Sequence, residues 1–138
     1  MSLISYGYLC SDVRDTNSRF IKLDENRLRA VLRNLLELVA IDEKWYLETY
    51  SDVRAAFRQG KFSSAREHYV NSGYFEDRLP RPIKVDVDWY LETYPDVAEA
   101  IRNKKCASAQ EHFEANGFKE GRQPFEGWSL ITAVAKKF

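Results

Sequence analysis

The chain has 138 residues, 44% hydrophobic, 14% aromatic and 30% charged, with 21 Lys plus Arg against 21 Asp plus Glu. A chain of this length can bury a sizeable core, and its hydrophobicity and charge balance exclude a disordered polyelectrolyte. Residues 1–40, 41–80 and 81–138 each sum to within one charge of zero, which argues against a nucleic-acid binder, whose basic face would release counterions on binding.

The opening MSLISYGYLCSD has neither the basic region nor the apolar run of a secretion signal. No window approaches the roughly 20 apolar residues of a spanning helix. The expectation is a cytoplasmic protein with no membrane span, in which Cys10 and Cys106 are free thiols. Residues 3–23 admit two readings: Ile4–Leu9 and Arg19–Leu23 as strands of a small hairpin, or the whole stretch as an extended arm. Residues 24–40 predict an amphipathic helix. Asp24 is its N-cap, and Leu28, Leu32, Leu35, Leu36 and Val39 lie on one side. That helix is expected to cap the unit that follows it.

The dominant feature is a duplication. WYLETYSDVRAAFRQGKFSSAREHYVNSGYFEDRLP, Trp45 to Pro80, aligns without a gap onto WYLETYPDVAEAIRNKKCASAQEHFEANGFKEGRQP, Trp89 to Pro124, each residue matching the one 44 positions later. About half the positions are identical, and others are conservative, such as Phe57 with Ile101 and Tyr69 with Phe113. Such self-similarity is the mark of a repeat architecture.

Each copy predicts three short helices. The first starts after Asp42 or Asp86 and carries Trp45, Tyr46 and Tyr50, or Trp89, Tyr90 and Tyr94, at helical spacing on one face. The second starts at Ser51 or Pro95. Proline suits a first helical turn, and the adjoining Asp52 or Asp96 complements the helix dipole. Gly60 is the expected stop in copy one, and Lys104 in the same place implies a different stop in copy two. The third helix carries a capping box, Ser64 with Glu67 and Ser108 with Glu111. Gly73 and Gly117 are read as the left-handed residues that close it. In the trailing turn, Glu76 and Arg78, or Glu120 and Arg122, are placed to pair locally or to hold the next helix. The tail, Ser129–Phe138, predicts one short helix. The whole reads as an all-α single domain: an N-terminal arm and capping helix over 1–40, repeats over 41–80 and 85–124, and a tail over 125–138. The tryptophan-bearing helices are expected to pack across the junction of the copies.

Chemistry is hard to place on this pattern. His68 and His112 sit at the same position of each copy but have no His-Glu-x-x-His or cysteine-pair partner, so a structural residue copied twice is the simpler reading. No serine or cysteine nucleophile accompanies them. Paired carboxylates for glycan hydrolysis would have to come from Asp42, Glu48, Asp52 and Asp86, Glu92, Asp96, and capping and dipole roles already account for most of these. No phosphate-cradling glycine loop is present. Cys106 replaces Phe62 and suggests a small apolar filler. The expectation is a non-enzyme with no cofactor, no metal and no catalytic residue. The aromatic set leaves one candidate surface for stacking or partner contact: Tyr46, Tyr50, Tyr74, Tyr90, Tyr94 and Phe118.

The unit W-Y-L-x-x-Y-P-D-V-A, then E-H-Y/F, then G-x-x-E-G-R-x-P resembles a short helical unit that recurs in bacterial proteins. That unit often sits beside glycosyltransferase or rhamnan-synthesis domains, and also occurs in some large surface proteins. The resemblance covers residues 41–124 and is carried by Trp89-Tyr-Leu, Pro95-Asp-Val-Ala98, Glu111-His-Phe113 and Gly117 to Pro124. Copy one departs from it at Ser51 and Asp77. It implies a setting of bacterial surface-polysaccharide synthesis and carries no active-site residues over. The resulting expectation is an interaction or adaptor module that binds a protein partner or itself. The alternatives are a carbohydrate-binding module using exposed aromatics and, less favoured, a nucleic-acid-binding regulator.

Overall fold

A computed structural model describes residues 22–131; all but the last two residues of the hairpin or arm expected over 3–23, Cys10 and most of the expected tail helix lie outside them. The chain divides into two compact units, Met1–Val39 and Ala40–Phe138. The described residues are all-α, with no strand among them. Residues 130 and 131 are bends, and no helix starts over 129–131.

In the first unit, α1 spans Glu25–Leu36, shorter than the 24–40 expected. Asp24 caps it by accepting from the Arg27 amide at 3.0 Å, and Glu25 pairs with Arg29 one turn on at 2.9 Å. Beyond Leu36 the bonds tighten: the amides of Leu38 and Val39 donate three residues back, to Leu35 and Leu36. The leucine stripe is split. Leu36 and Val39 are buried, whereas Leu28, Leu35 and Leu38 are exposed.

The second unit holds both copies. In copy one, α2 is Glu43–Thr49 and α3 is Ser51–Arg58. Helix α4, Ala65–His68, runs into a π turn over Tyr69–Gly73 and a 3₁₀ turn over Tyr74–Glu76. In copy two, α5 is Val87–Thr93, α6 is Pro95–Arg102, and α7, Ala109–His112, runs into a π turn over Phe113–Gly117. Every α-helix and π turn of copy two begins and ends 44 positions after its counterpart. Asp42 and Asp86 cap α2 and α5 through the Trp45 and Trp89 amides, at 2.9 and 3.2 Å. Pro95 occupies the first turn of α6. Each copy closes on itself, because the Asp42 amide donates to the Pro80 carbonyl and the Asp86 amide to Pro124.

The junction between the copies is apolar. Leu79, Ile83 and Val85 are buried in one cluster with Tyr90, Val97, Ala109 and Phe113, and both Trp45 and Trp89 pack against it. Gln110 holds the connecting segment as a strand neighbour would. Its Oε1 accepts from the Val85 amide at 2.9 Å and its Nε2 donates to the Ile83 carbonyl at 2.8 Å. Such pairing lets an irregular backbone segment be buried without an unmet polar group.

The stops differ from the expectation in two ways. Lys104 does not end α6 by a different route; it adopts the same left-handed conformation as Gly60, with φ of 55 against 71. In both copies the amide after that residue reaches five residues back, Lys61 to Ala56 and Lys105 to Ala100, which satisfies a helix-end carbonyl. Gly73 and Gly117, by contrast, are not left-handed. Gly73 has φ −58 and ψ −42 and continues the helix. The closing left-handed residues come four positions later, at Asp77 and Gly121, with φ of 57 and 73.

Each left-handed position therefore holds glycine in one copy and a side chain in the other. A left-handed L-residue costs roughly 1–2 kcal/mol, part of which glycine gives back in chain entropy. Lys104→Gly is expected to raise stability by about 0.5–1 kcal/mol. Asp77→Gly should raise it less, because aspartate tolerates this conformation better than lysine. Chemical denaturation of the two variants measures both, and a loss of stability in Lys104→Gly would contradict this account.

Candidate functional site

The residues repeated in both copies assemble into three local arrangements. The first is the cap of the third helix. Ser64 Oγ accepts from the Glu67 amide at 3.0 Å, and Ser108 Oγ from the Glu111 amide at 3.1 Å. The reciprocal half of the capping box is displaced. The Glu67 carboxylate takes the Ser63 amide, at 2.6 Å, and the Ser63 hydroxyl, so it does not return to Ser64. Those bonds hold its carboxyl below the usual range. Copy two has Ala107 at the Ser63 position.

The second arrangement is a latch. Arg78 makes a two-pronged bond to Asp52 on α3, Nη1 to Oδ1 at 3.1 Å and Nη2 to Oδ2 at 2.7 Å. Its Nε donates to Glu76 at 2.6 Å. The guanidinium lies 4.8 Å from the centroid of the Tyr50 ring. The Tyr50 hydroxyl accepts from the Leu79 amide at 2.9 Å. Copy two repeats the set: Arg122 to Asp96 at 2.9 and 2.7 Å, to Glu120 at 2.8 Å, and over Tyr94 at 4.9 Å. The Tyr94 hydroxyl takes the Gln123 amide at 2.9 Å. The arginine thus pairs locally, as expected, and also grips the second helix of its own copy, not the next one. The forked bond to Arg78 or Arg122 holds the Asp52 and Asp96 carboxyls below their ordinary range, and the carboxylates in turn push both guanidinium pKa values up.

The third arrangement is a buried tyrosine seated against a glycine. Tyr46 and Tyr90 are 0% exposed. Their hydroxyls bond His68 Nδ1 and His112 Nδ1, each at 3.0 Å. A Cβ added at Gly73 would overlap the Tyr46 hydroxyl, and one at Gly117 would overlap the Tyr90 hydroxyl. This is why both copies have glycine inside a right-handed turn, where it would ordinarily be unfavourable. The π turns over Tyr69–Gly73 and Phe113–Gly117 run along the same tyrosines. Burial raises the Tyr46 pKa and pushes that of Tyr90 up to about 12.

The six residues expected to form an interaction surface are all engaged internally. Tyr46 and Tyr90 are core residues and cannot offer a surface, because their hydroxyls satisfy the histidines and their rings lie under the third helix. Tyr50 and Tyr94 are half-buried; an arginine covers one ring face and the hydroxyl serves the closing turn. Tyr74 packs edge-on to Tyr69 and Phe75. Phe118 packs edge-on to Phe113 and Trp128. Cys106 is a half-buried free thiol that donates to the Ser108 carbonyl at 3.2 Å. Among the described residues, no group of three or more His, Cys, Asp or Glu side chains is arranged to hold a metal ion, and no helix is long and apolar enough to cross a membrane.

One of the positions at which the copies differ lies inside this core. Tyr69 is fully buried and its hydroxyl has no hydrogen-bond partner among the described residues. Copy two has Phe113 there, with its ring edge-on to Tyr90 just as Tyr69 is edge-on to Tyr46. A buried, unpaired hydroxyl costs roughly 1–3 kcal/mol in desolvation. Tyr69→Phe is expected to leave stability unchanged or raise it by up to about 1 kcal/mol, whereas Tyr50→Phe should lower it by about 1 kcal/mol. Urea unfolding midpoints decide between them.

Taken together, the described residues are all-α, and the same cap, latch and buried tyrosine are built twice in them, 44 positions apart. Comparison with protein-family models, curated proteins and solved structures returned no match to this chain.

Proposed function

We propose that this protein is a non-catalytic interaction module that docks a protein partner, in the setting of bacterial surface-polysaccharide synthesis and on the cytoplasmic side. The observation that carries the reading is the internal engagement of the repeated serine, histidine, tyrosine, aspartate and arginine side chains of the caps, latches and buried tyrosines. Ser64, Glu67, Gly73, Arg78, Asp52, Tyr50, Tyr46 and His68 all cap, latch or pack, and so do their counterparts. The repeated polar residues outside these arrangements that stay exposed are Glu48, Thr49, Arg58 and Lys61 with Glu92, Thr93, Arg102 and Lys105, a set without histidine or cysteine. The setting itself rests on the resemblance of residues 41–124 to the bacterial helical unit. Contact residues are then to be sought where the copies differ and in the N-terminal unit, where Leu28, Leu35 and Leu38 are exposed. Non-obligate interfaces commonly centre on such apolar anchors.

The covered faces of Tyr50 and Tyr94 weigh against sugar stacking there. The test is affinity capture from the bacterium that encodes the chain, with Leu35→Glu as the paired control. Recovery of a polysaccharide-synthesis protein by the native chain and its loss with Leu35→Glu is the expected result. Equal recovery by both chains, or fluorescence changes on titration with bacterial polysaccharides and no protein captured, would replace this reading.

A further inference from the structure

The two tyrosine–histidine bonds have a property that neither the helix caps nor the latches share. A buried tyrosine hydroxyl has one proton to donate. For Tyr46 the acceptor within reach is His68 Nδ1, at 3.0 Å, and for Tyr90 it is His112 Nδ1, also at 3.0 Å. The opposite side of each hydroxyl is closed by Gly73 or Gly117, where there is no room even for a methyl group. The geometry therefore requires Nδ1 to be the unprotonated nitrogen and Nε2 to carry the hydrogen. When the imidazole takes up a proton, Nδ1–H points at the hydroxyl oxygen. The hydroxyl must then turn its own hydrogen away, and the Tyr46 and Tyr90 hydroxyls have no other hydrogen-bond partner among the described residues.

We propose that the Tyr46–His68 bond forms an acid-sensitive lock, which frees the third helix of copy one from the first when the imidazole becomes protonated. The bond joins α2 to α4 in copy one; the matching Tyr90–His112 bond joins α5 to α7 in copy two. The surroundings of His68 work in both directions. Burial, helped by the Phe62 ring 4.9 Å away, favours the neutral ring, and so does Arg78; Glu76 and Asp52 favour the charged one. Burial is the largest of these and lowers the His68 pKa. The sign follows. For His68 the neutral form is favoured in the folded state, so its contribution to stability is full above the ordinary imidazole value of about 6.5 and falls as pH drops below it.

The experiment compares the full chain with the double variant His68→Asn/His112→Asn. Asparagine can place an acceptor oxygen near the Nδ1 position and does not titrate. Urea unfolding is followed from about pH 7.5 to about pH 5, above the range in which ordinary carboxylates take up protons. The native chain should show a rise in its unfolding constant of about fivefold or more from the Tyr46–His68 bond, the penalty of an unpaired buried donor. Amide exchange across Ala65–Gly73 should rise with it, after correction for intrinsic exchange. The asparagine variant should be flat over the same range. Tyr46→Phe/Tyr90→Phe provides a second route if that variant folds poorly: removing the donor should shrink the pH dependence although both histidines remain. An undiminished pH dependence in either folded variant, or a flat native chain, overturns the proposal.

Discussion

Gly73→Ala is expected to destabilise the protein by about 3 kcal/mol, although glycine to alanine in a right-handed helical segment normally stabilises by roughly 0.5–1 kcal/mol. The sign reverses because of what lies beside the residue. Gly73 has φ −58, so its conformation suits alanine well. Its missing Cβ, however, points at the Tyr46 hydroxyl, with the Tyr69 ring 3.2 Å and Tyr46 Cζ 3.3 Å from the same point. Tyr46 is 0% exposed and tied to His68, so neither partner can move away cheaply. A double-mutant cycle isolates the cause. In a Tyr46→Phe background the hydroxyl is gone, and Gly73→Ala should then cost about 1 kcal/mol, the remaining tightness coming from the two rings. Equal costs in the two backgrounds would show that the clash is not with the hydroxyl. Gly117→Ala and Tyr90→Phe supply the same cycle in copy two.

The second large effect is expected at the latch. Arg78→Ala removes a forked pair to Asp52, a bond to Glu76 and the cover over Tyr50 together. Asp52 and Glu76 are exposed enough that solvent screens much of the attraction. The loss expected is about 2 kcal/mol, drawn mostly from the stacked, pre-organised fork and the uncovered ring. Arg78→Lys should recover less than half of this, because an ammonium cannot make the planar two-pronged contact. Differential denaturation of the two variants measures it, and full recovery by lysine would reduce the latch to a plain charge pair. The latch also sets an acid limb of its own. Asp52 and Asp96 are held below their ordinary carboxyl range by Arg78 and Arg122. Their contribution is full above the ordinary value of about 3.9 and is lost as pH falls further. That window lies well below the one for His68, so the two effects separate along a single pH series.

The amino-acid sequence by itself determined the number of copies, the 44-residue offset, the all-α class and the helix starts. These are local matters. Asp42, Asp86, Ser64 and Ser108 cap with side chains only three residues from the amide they serve, and Pro95 suits a first turn whatever surrounds it. Local reasoning failed where a residue's partner is distant along the chain. Gly73 was legible as a repeated glycine, and the habitual meaning of glycine at a helix end is a left-handed stop. Its actual reason is Tyr46, 27 positions earlier. Arg78 was legible as half of a turn pair, but Asp52 lies 26 positions back.

Lys104 shows the converse. Its lysine side chain argues against a left-handed backbone, yet the turn geometry shared with Gly60 imposes one. The aromatic set was the hardest to read, because Trp and Tyr serve cores and interfaces alike. Only the tertiary structure decided that Tyr46 and Tyr90 lie inside and that Tyr50 and Tyr94 are occupied by arginine. The physical reason is the same throughout. Caps and helix starts are settled within one turn of chain, whereas burial and side-chain pairing are settled by whatever the fold brings alongside.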